Sequence, residues 1–592
     1  MAQQATGKEI FIADFATMDL DKKTCHLHDT APYNRTKGFI TATTSEIRSY
    51  VHRDNWFGGF PFPVRALLAN LTSLRALDLS RLNITDLPKA IGRLLHLRWL
   101  NLSSNQELKM LPKSLTELIN LTLFIFHRSG EASFGEDYRS VLRYLPLGME
   151  KMACLTRLNQ FILGQRNSSM KREVRLEGLR VSRNLRGSIR IYIRPDCKHP
   201  KEYGGGGYLC NTKYFKSIYV KFPYWIHGEE RMGNYDDDVL EDLQPYSNLK
   251  ELAIKRYPGL TISQWARADR LVTSLLNLVK IVLMNYNRLK ELPWLGKLQH
   301  LKTLQLSYLK NLEYMENKTR GTNIGSSRDR VTTIIAPSSL MGVEITNSSI
   351  FFPSLENLKL CDLLKLKRWW KGLHRSAGGQ QLPLFPHLSN VTVNYCPNLR
   401  SIPLGHAVET LIFWESGIVK EEEGQKVVGG TSSNDSGNSR SNDPKIKEIE
   451  TTNVRFLNSL PMGLTKMTIF WDHKVESLSE VEEVFHNCSS SLWFLKVKHC
   501  QKLRSASRGL EHLTILESLE LVDLPEGEEE EEDEEEDDYT GNGMPWRCLA
   551  QCLRSMGLHS LHNVVELPKG MHYLTVLQSL EIFDLPLKDV PE

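Results

Sequence analysis

"LRALDLSRLNITDLPKAIGRLLHLRWLNLSSNQELKMLP", residues 74–112, states one short pattern twice. Leu74, Leu77 and Leu79 recur 23 residues later as Leu97, Leu100 and Leu102, and Leu87-Pro88 recurs 24 residues later as Leu111-Pro112. In "LxxLxL" the last two leucines alternate with the period of a strand, so Leu77 and Leu79 turn to one side and Ala76 and Asp78 to the other. The Leu-Pro pair ends a short connection that turns the chain back. A unit this small cannot bury its own leucines, so neighbours must stack and share a continuous core.

The pattern is a leucine-rich repeat, and it predicts an α/β solenoid: a horseshoe with a parallel β-sheet on the concave face and irregular or short helical convex connections. Such a surface suits large partners and offers no obvious catalytic pocket. Leu121, Phe124 and Phe126 close a third unit. Asn105, nine positions into its repeat, is placed to bond neighbouring backbone amides inside the turn. Other units put Cys396, Cys500, Tyr257 or Leu82 at that place, and the two cysteines read as small buried thiols in a structural slot.

The pattern returns at "LQPYSNLKELAIKRYPG" (residues 243–259), "LVKIVLMNYNRLKELP" (278–293), "FPSLENLKLCDLLKLKRWW" (352–370) and "FPHLSNVTVNYCPNLRSIP" (385–403), and continues to Leu577, Leu580 and Ile582. "CLTRLNQFILG" (154–164) and "LRGSIRIYI" (185–193) read as strands of longer, irregular repeats. Residues 1–60 lack the repeat and are expected to be a cap or the remnant of a preceding domain. The solenoid is expected over 61–592, with polar insertions at about 317–349, 420–449 and 526–545 that carry too little apolar content to pack.

The overall charge of +4 hides an asymmetry, because Glu528 to Asp538 is an unbroken run of eleven acidic residues and the rest of the chain stands at +15. A mildly basic solenoid with one acidic loop fits acidic protein partners and self-contacts, and nucleic acid is not expected. Ten cysteines are too scattered for a disulfide framework, and no metal ligand spacing stands out. The four glycines Gly204 to Gly207 are not followed by the Lys-Ser or Lys-Thr of a phosphate loop. The first twenty residues hold no apolar core of signal-peptide length, and no span is long and apolar enough for a bilayer.

With "LQPYSNLKEL", "LGKLQHLKTLQL" (295–306) and the endings "YCPNLRSIP" and "HCQKLRS", the sequence resembles the leucine-rich repeat region of plant coiled-coil nucleotide-binding disease-resistance proteins, over roughly residues 40–592. The resemblance implies a cytoplasmic recognition module that senses a pathogen effector or a guarded host protein and restrains a nucleotide-binding switch domain, in cis or in trans. "CHLHDT" (25–30) matches the Met-His-Asp motif of such switch domains only at His28 and Asp29. No nucleotide site is carried over, and no cofactor is expected; ATP or ADP would enter only with an upstream nucleotide-binding domain.

The positions flanking the inward leucines are the candidate contacts. They include Trp99, Asn101, Gln305, Lys359, Phe494 and Lys496, and since rigid aromatics and long cations tend to carry interface energy, Trp99, Phe494 and Lys496 stand out. Two other classes fit the same repeat. An extracellular receptor or inhibitor is favoured by acceptor triplets such as Asn70-Leu71-Thr72 and Asn120-Leu121-Thr122, while a ubiquitin-ligase substrate adaptor would need a docking module in residues 1–60. An enzyme is not expected, because no nucleophile elbow or carboxylate pair emerges.

Overall fold

The computed structural model describes residues 10–13, 25–29, 46–52, 62–126, 142, 145–146, 148–163, 184–194, 209, 212–223, 235–259, 265, 274–292, 295–317, 352–371, 385–399, 405, 407–414, 446–459, 463–503, 509–524, 545–561, 567 and 569–587. They fall in two compact units, Met1–Tyr286 and Asn287–Glu592. Both are leucine-rich repeat solenoids.

In the first unit the strands Ile10–Ala13, His26–Asp29, Ser49–His52, Ala76–Asp78, Trp99–Asn101, Leu123–Ile125 and Arg157–Leu158 lie side by side in sequence order, all parallel. The register sets Leu27, Tyr50, Leu77, Leu100, Phe124 and Leu158 in one inward column. Each of these side chains is buried. Separate pairings join Gln160–Leu163, Gly187–Ile193, Phe215–Lys221, Glu251–Lys255 and Lys280–Met284, with Phe161, Ile191, Val220, Ile254 and Leu283 in line.

The second unit repeats the arrangement from Asn357–Cys361 and Asn390–Asn394 through Thr410–Trp414, Glu448–Thr451, Lys466–Phe470, Phe494–Lys498 and Ser518–Val522 to Ser555–His559 and Ser579–Phe583, with Thr303–Ser307 paired ahead of them. Every pairing is parallel and in register. A small side sheet pairs Tyr314–Asn317 with Arg368–Lys371.

Connections are short because proline stops the chain from continuing as strand or α-helix. Pro88 and Pro112 sit in extended backbone and start the 3-10 turns Lys89–Arg93 and Lys113–Glu117, which bury Ile91 and Leu115. Longer connections form helices, among them Val64–Asn70 and Glu482–Asn487. The expectation of irregular or short helical connections holds for the described residues.

Just past ten of the strands lies a residue with φ near +48 to +63°, and none of these is glycine: Arg256, Asn285, Tyr308, Asp362, Tyr395, Trp471, His499, Asp523, Ser560 and Asp584. A left-handed turn costs an L-residue roughly 1 kcal/mol. The compensation is visible at the next repeat. Trp471 N donates to Lys498 O at 2.9 Å, His499 N to Val522 O at 2.9 Å and Asp523 N to His559 O at 2.9 Å, so each turn extends the inter-strand ladder by one bond.

Asn105 acts as its position suggests. Its Oδ1 accepts from Leu82 N and Ile84 N, both at 3.1 Å, and its Nδ2 donates to Leu79 O at 2.7 Å and Leu102 O at 2.9 Å. One buried amide thus satisfies polar backbone in two repeats. Asp472 does similar work in the second unit, accepting from Val454 N at 2.8 Å and Lys474 N at 2.9 Å.

Residues 26–29 and 49–52, within the stretch expected to be a cap or a remnant, are strands of the same sheet as Ala76–Asp78. The repeat is disguised there because its second inward positions are Asp29 and His52, buried beside Tyr50, whose hydroxyl donates to Asp29 at 2.7 Å. The second insertion ends earlier than residue 449, since Ile446 and Ile449 are buried and Glu448–Thr451 is a strand. Thr451 takes an inward leucine's place by accepting from Asn453 N at 3.0 Å. The acidic run, the four glycines and most of the three insertions lie outside the described residues.

Replacing Asn105 by Ala leaves several buried backbone groups without partners. Urea unfolding of Asn105→Ala should show the first unit destabilised by about 3 kcal/mol, and an unchanged midpoint would refute the role given to the amide.

Candidate recognition surface

Strand geometry creates the site. With inward positions filled by the core, every second side chain faces away from it, and successive repeats stack these side chains about 4.8 Å apart. In the second unit one such row runs Gln305, Lys359, Thr392, Ile412, Glu450, Thr468, Lys496 and Glu520 along the paired strands. The next row carries Trp414, Phe470 and Lys498 at the strand ends, with Trp471 and His499 on the left-handed turns beyond.

These end residues form a continuous aromatic band. Ring centroids are 5.2 Å apart for Trp414 and Phe470, 5.0 Å for Phe470 and Trp471, and 5.6 Å for Trp471 and His499. Lys498 lies over the Phe470 ring at 5.6 Å. At the opposite end of the same strands Trp493 packs edge-on to Phe494 at 6.0 Å, with Lys466 over its ring at 5.3 Å. Trp471 is 43% exposed and Trp493 38%, high values for indoles on a sheet.

The charges of this region are largely matched in pairs between neighbouring repeats. Lys466 meets Glu448 at 2.8 Å, Lys496 meets Glu520, and His499 meets Asp523 at 2.6 Å. Half-buried Glu450 has its carboxyl held above the usual range by burial, opposed by Lys496, Lys498 and the indole N–H of Trp414. That N–H faces Glu450 without reaching hydrogen-bond geometry.

The residues expected to form contacts are placed as follows. Phe494 and Lys496 fall within the aromatic and cationic region, though Lys496 is already paired with Glu520. Gln305 and Lys359 are register partners elsewhere in the same unit, and Lys359 is exposed. Trp99 and Asn101 belong to the first unit. Asn101 is taken up in structure, donating to Asp78 at 3.1 Å and accepting from Ser103 N at 3.0 Å. Trp414, Phe470, Trp471, Lys498 and His499 were missed. The signal for them was the residue two places past the last inward leucine position and its neighbour, which in "MTIFW" and "LKVKH" are aromatic or basic.

The slot cysteines are inert. Cys396 and Cys500 are fully buried, with Sγ directed at Asn394 O (3.4 Å) and Lys498 O (3.6 Å). Burial pushes the Cys396 thiol up to about 12 and the Cys500 thiol up to about 11, far from the thiolate a nucleophile needs.

A family model described as R13L1/DRL21 leucine-rich repeats matches residues 176–309. The putative disease resistance protein RGA1 of Solanum bulbocastanum is 27% identical over 361 residues, which is 58% of this chain and 32% of that protein. A putative disease resistance protein of Arabidopsis thaliana is 26% identical over 359 residues, covering 56% of this chain and 22% of that protein. The chain resembles the leucine-rich repeat region of plant disease-resistance proteins. It spans about a third or less of the length of these relatives. Among solved structures, a leucine-rich repeat protein of Leptospira interrogans aligns with 83% of the chain and 93% of its own, at 16% identity and a TM-score of 0.35. No helix among the described residues is long and apolar enough to cross a membrane.

Iodoacetamide at neutral pH should modify the exposed Cys154 and Cys548 of the native leucine-rich repeat chain and spare buried Cys396, Cys488 and Cys500 until urea is added. Peptide mapping that finds native Cys396 alkylated as fast as Cys154 would contradict the packing.

Proposed function

We propose that this chain is the protein-recognition part of a plant intracellular immune receptor, without catalytic chemistry of its own, and that the aromatic band of the second unit makes the decisive contacts. The observation that carries this reading is the exposure of Trp471 and Trp493 at opposite ends of the parallel strands. An indole held by two neighbouring repeats loses little freedom on binding and offers a large apolar area, the combination typical of interface hot spots. Similarity to disease-resistance proteins supports a pathogen effector, or a host protein altered by one, as the partner.

In this reading the chain acts in the cytoplasm and restrains a nucleotide-binding switch domain, in the same polypeptide or another, until the partner docks. ATP or ADP would belong to that domain. The extracellular alternative loses support at its acceptor triplets. Asn70 Nδ2 donates to Ala66 O at 3.0 Å and Asn120 Nδ2 to Leu95 O at 2.7 Å, so glycosylation would break bonds that hold connections together.

The test is a binding screen of purified effectors and host proteins against the full chain, with hits repeated on variants. Trp471→Ala should weaken a true partner by about 2 kcal/mol, roughly thirtyfold. Leu364→Ala, which removes an exposed apolar side chain on a connection, should leave affinity unchanged. Partners that ignore Trp471→Ala and Trp493→Ala but are lost with Leu364→Ala would overturn the assignment of the face.

A further inference from the structure

Away from the sheet face, two neighbouring connections of the second unit bring three metal-ligating side chains together, with a second imidazole close by. Glu482 and His486 stand four residues apart, on one side of the helix Glu482–Asn487. Glu511 and His512 belong to the turn Leu510–His512 of the next repeat. One donor atom each from Glu482, Glu511 and His512 lie within 4.8 Å of one another. Glu482 Oε1 and His512 Nε2 are 3.1 Å apart, and the His486 ring stands edge-on to the His512 ring at 5.5 Å. We infer that Glu482, Glu511 and His512 form a binding site for a divalent transition metal of the zinc class, with the His486 ring beside it.

The geometry decides between this and a plain surface ion pair. A cation at the centre of a triangle with sides of 4.8 Å or less is within about 2.8 Å of each corner, and tetrahedral zinc sits about 2.0–2.2 Å from nitrogen and oxygen ligands. The remaining closure is well under about 1 Å, within reach of side-chain rotamer motion at a surface. An ion pair accounts for Glu482 and His512 alone. It does not account for Glu511 converging on the same point from its neighbouring position. Glu511 Oε2 accepts from Gly509 N at 2.6 Å, which orients the carboxylate as an outer-shell partner does in metal sites.

The donor set names the ligand class. An imidazole with two carboxylates suits zinc, and nickel, cobalt or copper in its place, whereas calcium and magnesium take oxygen ligands only. Ligands from two repeats would make the ion a clamp between the connections, so its binding energy would add to their local stability.

The experiment uses the full chain stripped with EDTA. Calorimetric titration with zinc should show a site that weakens by more than about tenfold in His512→Asn and in Glu482→Gln, with no comparable heat from calcium. Cobalt should give the visible absorption of a tetrahedral site in the wild type and lose it in both variants. Thermal melts of the variants in EDTA should match the wild type, since the side chains are at the surface. Equal zinc affinity and stoichiometry in wild type and both variants, or calcium binding as tight as zinc, would overturn the site.

Discussion

Each repeat is held mainly by its neighbours. A strand such as Trp99–Asn101 has three residues and no partner within its own repeat, so its backbone groups are satisfied by Ala76–Asp78 on one side and Leu123–Ile125 on the other. The same neighbours cover Leu100, which is fully buried although its own unit could not enclose it. Backbone pairing and leucine burial therefore depend on a single register. A slip by one residue would turn every inward side chain to water, which is why the pairings hold strictly through the second unit.

The surface follows from that constraint. Since the ladder continues through a left-handed residue after the strand, Trp471 and His499 are tied to the next repeat by their own backbone N–H groups. Their side chains take their positions from the turn and not from the core. Carboxylates of adjacent repeats neutralise the nearby lysines, and exposed ion pairs of this kind contribute at most about 1 kcal/mol each. What remains unmatched at the surface is apolar: indole and phenyl faces in a row, the component of an interface that gains most from excluding water.

Legibility along the chain tracks how purely each position serves the core. Leu77, Leu79, Leu100 and Leu102 are all buried, and their pattern was readable outright. The strand Thr410–Trp414 was not, because "TLIFW" is apolar on both faces and shows no alternation. Glu448–Thr451 offers a single inward apolar residue, with Thr451 satisfied through its turn, so it resembles the polar insertion before it. At the chain's start, Asp29 and His52 replace leucines by pairing with each other and with Tyr50, a solution that depends on contacts between repeats and leaves no local trace. The aromatic band was half visible: Phe494 and Lys496 sit between inward leucine positions, but Trp471 and His499 occupy a turn where ten described positions carry seven non-glycine residue types. The metal-ligand cluster was hidden for the same reason, since its two halves are 25 residues or more apart and meet only when two connections stack.

The separation of inward from outward positions also explains how such a chain can serve recognition. Changing Trp471 or Lys498 alters no inward contact, because these side chains lie beyond the strand's last buried residue, whereas changing Leu495 or Val497 opens a fully packed core. Substitutions in a packed core cost about 2–5 kcal/mol, and surface ones usually less than about 0.5 kcal/mol. One face is therefore fixed by stability and the other is free to be shaped by whatever binds it. The exceptions are residues such as Asn101 and Asp78, which face outward yet bond across repeats. They are poor places to seek a ligand, and the aromatic band, whose members are held through their backbones, is a better one.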